Sequence, residues 1–218
     1  VLQKVLSRLK ALNYDTLGPK IVNAANFGIP QNRKRLIFIS INKDYLKNKE
    51  NFNWSYFEKK YVEETKSVRQ AIGGLSLIPH NYKVNKKAAL HVTRKLAPIN
   101  LKRIKQITVP GGGREMWDKK YILDCYREHD GHKDVYGRMS WDEVAPTLTC
   151  KCISISNGRF GHPEQDRAIS LREAAILQTL DSYKFKKPIV LDKVAKQIGN
   201  AVPPKLVKKL THFILGLI

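Results

Sequence analysis

The order of patterns along the chain predicts an α/β fold interrupted by an irregular, β-rich region, and three observations lead there. A helix, a short strand, a loop and a second strand follow one another within the first 42 residues. From residue 167 onward the pattern returns to helices. Between these ends lies a glycine-punctuated stretch whose charge differs from everything around it.

Val1, Leu2, Val5, Leu6, Leu9 and Leu12 recur at helical spacing, with Lys4, Arg8 and Lys10 on the opposite face, and Gly18-Pro19 is expected to end that helix. Ile21 to Ala25 reads as a short strand, followed by the loop Asn26 to Pro30. Leu36 to Ile41 is a continuous apolar run, which predicts a strand buried on both faces. Helix, strand, loop and strand make too small a set for a complete sheet, so these strands are expected to need partners the chain does not supply. Residues 42–66 are polar and aromatic and read as a linker. Val68 to Leu75 suits a short helix closing at Gly73-Gly74.

From about 82 to 166 the pattern predicts short strands and turns, including the run Gly111-Gly112-Gly113. Alternation of Thr147, Thr149 and Lys151 with Leu148, Cys150 and Cys152 places a strand within Pro146 to Ser156. Ser170 with Glu173 forms a capping box, since the hydroxyl accepts from the Glu173 amide while the carboxylate reaches back. A last helix begins at Pro203-Pro204 and carries the stripe Leu206, Val207, Leu210, Phe213, Ile214, Leu217 and Ile218. These patterns divide the chain into 1–66, 67–166 and 167–218.

Forty Lys and Arg against 19 Asp and Glu give a net charge of +21. Such a field favours polyanions, because neutralised phosphates release counterions. The charge is uneven: residues 111–166 carry 8 basic and 10 acidic side chains, whereas each of the other stretches is strongly basic. An odd count of three cysteines argues against a disulfide framework and for a reducing compartment. With no signal peptide and no apolar run of spanning length, a cytoplasmic protein without membrane contact is expected. The chain opens on Val1 rather than Met, which fits a fragment, a processed product or a trimmed polypeptide.

Gln31, Arg33 and Arg35 sit at a loop-to-strand junction, where alternation would place all three on one face. Three planar hydrogen-bonding groups on one face can clamp a base edge or a phosphate; they can equally form a solvated, salt-bridged strand start. Gly199-Asn200 before a helix offers donors to a carboxylate, or is an ordinary turn. Cys125, His129 and His132 with Cys150 and Cys152 superficially suggest zinc, but the spacing matches no recognised pattern and no metal is expected. The glycine run lacks a following Gly-Lys-Ser/Thr, which argues against a phosphate-binding loop.

Taken together, these segments resemble the closing motifs of DNA (cytosine-5) methyltransferases of the bacterial restriction-modification type. Asn23 through Arg35 resembles the eighth motif of that family, with its P-Q-x-R-x-R core. His162 through Gln178 resembles the ninth, although Gln178-Thr179-Leu180-Asp181 is one residue shorter than the family pattern and lacks its proline. Gly199-Asn200-Ala201-Val202 resembles the tenth. Tyr136 to Thr149 resembles the end of the target-recognition region, with its Thr-Leu dipeptide at Thr147-Leu148.

The resemblance implies the C-terminal portion of a Rossmann-like, S-adenosylmethionine-dependent methyltransferase sheet plus a target-recognition domain over 67–166. It assigns Arg35 to the oxygen of the flipped cytosine with Gln31 and Arg33 in support, and Asn200, Ala201 and Val202 to the S-adenosylmethionine pocket. Thr147, Leu148, Gly112, Arg114 and Arg138 would meet double-stranded DNA, while Arg172 and Glu173 would be architectural. In that family the target cytosine leaves the duplex, a thiolate adds to C6, C5 takes the methyl group, and elimination frees the enzyme. The attacking cysteine follows a proline, and no Pro-Cys dipeptide occurs here. Three readings follow: a segment of a single-chain methyltransferase, a subunit that assembles with a nucleophile-bearing N-terminal half, or a stand-alone DNA-binding module.

Overall fold

A computed structural model describes residues 1–78, 90–127, 131 and 133–218. Helix α1, Leu2–Ala11, carries basic side chains in its last turn and buries no residue. It ends seven residues before Gly18, not at Gly18-Pro19: the chain turns at Asn13, held at φ 66°, and goes straight into strand β1, Tyr14–Asn23. Asn is among the few residues that tolerate this left-handed geometry. Gly18-Pro19 instead lies inside β1, where the ladder loses register between Leu17 and Lys20. Proline has no amide to donate, so it is accommodated at an irregularity.

Strand β2, Lys34–Asn42, pairs antiparallel with β1, Ile21 opposite Leu36 and Thr16 opposite Ser40. The expectation of burial on both faces fails. Ile39 and Ile41 are buried, whereas Leu36 is 58% and Phe38 38% exposed. With Ile21 at 65%, they leave an apolar patch on the two-stranded ribbon.

Residues 42–66 are not a linker. Helix α2, Trp54–Tyr61, starts on the side chain of Asn53, which accepts from the Tyr56 amide at 2.7 Å. It buries Phe57 completely among Phe27, Trp54, Tyr61 and Phe213. Helix α7, Pro204–Leu215, closes the same core through Leu206 and Phe213.

A second core joins helix α3 (Val68–Ile72), the segment 139–160, helix α5 (Leu171–Leu177) and helix α6 (Leu191–Asn200). Residues grouped as 67–166 and 167–218 by sequence thus share one hydrophobic interior, and 167–218 also contributes α7 to the first core. A third, smaller core forms around Ile104 of helix α4 (Pro98–Lys105), Trp117, Tyr136 and Ile155.

The middle region is not β-rich: among the described residues of 67–166 there is no strand, only isolated bridges such as Gln31 with Ala145 and Arg138 with Gly161. Arginine side chains replace the ladder. Arg138, 3% exposed, donates to the carbonyls of Ile104, Ile107, His162 and Gln165 and pairs with Asp166. Arg159 does the same for Gly111 and Gly112. Buried carbonyls need donors, and a guanidinium offers five in a fixed fork. The predicted strand in 146–156 is accordingly a turn-rich strap.

Candidate catalytic and DNA-facing site

The strap 145–150 is fastened to the start of β2 and to the end of α6, and two side chains do the fastening. Gln31 is fully buried. Its amide nitrogen donates to Gln178 Oε1 at 2.8 Å and to the Leu177 carbonyl at 3.3 Å, and its oxygen accepts from the Leu148 amide at 3.2 Å. Arg33, 4% exposed, donates from Nη1 to the Leu148 carbonyl at 3.0 Å and from Nη2 to the Gly199 carbonyl at 2.9 Å. Burial, then the neighbouring Arg35 charge, lowers the Arg33 pKa from its ordinary value. Arg35 stands apart: it is exposed, and its Nη1 donates only to the carbonyl of Lys34. The three groups therefore do not share a face. Two are interior brackets and one is free to meet a ligand.

Gly199 does not open a helix; it lies in the last turn of α6, with Asn200 the terminal residue. A β-carbon at Gly199 would come within 2.2 Å of the Thr149 backbone, so the close approach of strap and helix requires glycine. The helix N-terminal donors expected there are absent, because this end presents carbonyls, and Arg33 and Gln178 satisfy several of them. Asn200 is exposed, and its Oδ1 accepts from the Cys150 thiol at 2.9 Å. Ala201 is half-buried and Val202 is 52% exposed. An exposed amide beside an exposed apolar side chain suits one wall of a nucleoside pocket.

Of the residues assigned to DNA, Thr147 is half-buried and donates to the Asn32 carbonyl. Leu148 is a core residue at 1% exposure, so its backbone positions Gln31 and Arg33 while its side chain packs inside. Arg138 is spent on the carbonyls described above and is not presented outward. Gly112 is buried in the glycine turn, where its carbonyl accepts from the Arg138 amide at 2.9 Å. Arg114 lies over the Tyr126 ring at 3.8 Å.

The ninth-motif segment is architectural in detail. Arg167 and Glu173, 3% and 1% exposed, form a two-pronged pair at 2.7 Å for each prong, and Glu173 also caps Ser170. Burial alone would raise the Glu173 pKa, but Arg167 outweighs it and holds the carboxyl below its usual range. His162 accepts the Glu164 and Gln165 amides on Nδ1, at 3.1 and 2.9 Å. Burial and the Arg167 charge depress its pKa to about 4.

Cys152 is fully buried, and that burial pushes its thiol up to about 12, far from a thiolate at neutral pH. Among the described residues no three His, Cys, Asp or Glu side chains gather as a metal site; His129 and His132 lie outside those residues. No helix among the described residues is long and apolar enough to cross a membrane. Sequence reasoning gave Asn32 no role and weighed Cys150 only as a metal ligand; both reach the site through folding, Asn32 by accepting from Thr147 and Cys150 by donating to Asn200.

Solved structures share this architecture. A prophage-encoded Escherichia coli protein described as a candidate DNA modification methyltransferase superposes with TM-score 0.66 at 19% identity, over 99% of this chain and 64% of that one. The Schizosaccharomyces pombe Dnmt2 methyltransferase gives 0.58 at 13% identity, over 99% and 61%. These likenesses establish an α/β methyltransferase fold. In sequence, the chain is 38% identical to the type II methylase M.HgiDII of Herpetosiphon aurantiacus, over 100% of this chain and 61% of that protein. It is 36% identical to Arabidopsis thaliana DNA (cytosine-5)-methyltransferase 3, over 64% of this chain and 12% of that protein. The chain spans about three-fifths of M.HgiDII and 47% of the type II methyltransferase M.Eco47II of Escherichia coli. The family profile for C-5 cytosine-specific DNA methylases matches residues 1–215, and the chain belongs to that family.

Proposed function

We propose that this polypeptide is the target-recognition and pocket-closing part of a DNA cytosine-5 methyltransferase, working with an N-terminal part that carries the Pro-Cys nucleophile. One observation carries the reading. Arg33 bridges the Leu148 and Gly199 carbonyls, so a single buried side chain ties three places together. These are the strand bearing Arg35, the Thr147-Leu148 strap and the Asn200 turn. A stand-alone DNA-binding module has no need of that connection.

On this reading Arg35, exposed and uncommitted to any acidic partner among the described residues, holds the ring oxygen of the extruded cytosine. Asn200 and Val202 form one wall for S-adenosylmethionine, which supplies the methyl group. The Asn200 oxygen is engaged by Cys150, which orients its Nδ2 to donate to the cofactor. Thr147 and Arg114 face double-stranded DNA, and the basic ends of the chain supply sequence-independent attraction. Because no cysteine here follows a proline, the attacking thiolate comes from the N-terminal part.

Arg35→Ala tests the base-contact role in enzyme reconstituted from the two parts. Turnover is expected to fall by about tenfold or more, while duplex affinity changes little. Equal losses in both would make Arg35 a phosphate anchor instead.

A further inference from the structure

An α-helix leaves its last carbonyls without intrahelical donors, and amides of the residues that follow commonly fold back to meet them. At the end of α6 that route closes early. The Ala201 amide still donates to the Gln197 and Ile198 carbonyls, but Ala201 itself is extended, and Pro203 and Pro204 have no amide to return. Side chains from elsewhere finish the cap. Arg33 Nη2 donates to the Gly199 carbonyl at 2.9 Å. Gln178 Nε2 donates to the Ile198 carbonyl at 2.7 Å and to the Ala201 carbonyl at 3.1 Å. One buried amide group therefore grips the chain on both sides of Gly199 and Asn200.

The next residue holds the far end of the same turn. Pro204 opens α7 without an N–H, so the Lys205 amide is the first of that helix to need an acceptor, and it donates to Thr179 Oγ1 at 3.3 Å. Thr179 stands at φ 57°, where a β-branched side chain is disfavoured and glycine is the common residue at a helix end. Its own amide donates to the Ile176 carbonyl at 2.8 Å, closing α5. Glycine would relieve the backbone but bring no hydroxyl. Strain of this kind persists only where the surroundings fix it. Here it delivers an acceptor to the start of α7.

Consecutive residues of one helix end thus fix both ends of the segment 198–205, which carries Asn200 and Val202. Nothing else among the described residues gives that segment's backbone a side-chain partner except Arg33. Gln178 also reaches the other half of the site, because its Oε1 accepts from Gln31 Nε2 at 2.8 Å, and Gln31 in turn holds the Leu148 amide at 3.2 Å. We propose that Gln178 and Thr179 are positioning residues for the cofactor wall, acting through Asn200 and Val202 by setting the path of 198–205. The proposal rests on the methyltransferase reading above and adds two residues to it.

Enzyme reconstituted from the two parts provides the test, with binding of labelled S-adenosylmethionine read beside turnover. Thr179→Gly suits the left-handed backbone but lacks the hydroxyl. It should melt close to the parent yet bind the cofactor about fivefold more weakly. Its turnover at saturating cofactor and its affinity for duplex DNA should stay near the parent's. Thr179→Ser, which keeps the hydroxyl, should restore cofactor binding. Gln178→Met, similar in size but without donors, should weaken cofactor binding about tenfold or more. Cofactor binding undiminished in either folded variant overturns the proposal, whatever happens to the melting temperature. In the isolated chain, hydrogen exchange at the Lys205 amide should be faster in Thr179→Gly than in Thr179→Ser, and equal rates overturn the proposed anchor. A parent enzyme that binds no cofactor removes the methyltransferase reading and the positioning role with it. A parent that binds, with variants that bind as well, removes the positioning role alone.

Discussion

Arg33 and Arg35 are two positions apart in a single motif, yet one is sealed between two backbone carbonyls and the other is exposed. Their substitutions should separate accordingly. Arg33→Met leaves both carbonyls without their donor and is expected to cost about 3 kcal/mol or more in urea unfolding. Arg35→Met should stay within about 0.5 kcal/mol, as for an ordinary surface site. The sequence made all three motif residues legible as a group. It could not show that two of them point inward, because their partners lie 115 to 166 residues away. Arg138 misled for the same reason: a basic side chain in a recognition region suggests DNA, and only the fold shows that carbonyls consume it.

His162 adds a pH dependence. Its Nδ1 already accepts two amides, so protonation there would break both hydrogen bonds. The unfolded residue takes up a proton near its ordinary pKa of 6.5, whereas the folded one resists until about 4. The unfolded state therefore binds more protons in that window, and its stabilising contribution, present above 6.5, is lost as pH falls toward 4. The loss is expected to reach about 3 kcal/mol. His162→Asn, which keeps an acceptor but cannot titrate, should flatten unfolding free energy measured between these limits.

At the scale of elements, the strongest periodic signals held and the shorter ones did not. The capping box at Ser170 and the closing helix were plain in the sequence, because each depends on neighbours within a few residues, whereas the matching box of Ser67 with Gln70 emerged only in the structure. Helix α6 was missed although Leu191, Val194, Ala195 and Ile198 have helical spacing. The glycine that follows reads as a turn opening the next helix when it in fact ends this one. Helix α2 was lost among polar residues that conceal Trp54, Phe57 and Tyr61 on one face. The false strand at 146–156 shows that alternation is no guide where side chains, not a ladder, satisfy the backbone. Gly199→Ala should pry the strap from α6, lowering stability by about 1–3 kcal/mol in thermal unfolding. Gly18→Ala, where a β-carbon meets nothing within 4 Å, serves as the near-neutral comparison.

At the scale of the molecule, the basic charge lies on both sides of the stretch 111–166, which itself carries 8 basic and 10 acidic side chains. On the proposed reading the basic stretches 1–110 and 167–218 attract DNA without regard to sequence, and 111–166 selects among sequences by fitted contacts rather than by charge. The exposed Ile21, Leu36 and Phe38 patch extends the argument, since a two-stranded ribbon is a marginal sheet and those side chains are suited to cover by the N-terminal part.

The measurement closest to the central claim is transfer of tritium from methyl-labelled S-adenosylmethionine to DNA. The purified chain alone is expected to transfer none. Mixing it with an N-terminal methyltransferase part that carries the Pro-Cys dipeptide should restore transfer to cytosine. Transfer by the isolated chain, or no transfer by a stable complex of the two parts, would contradict the account.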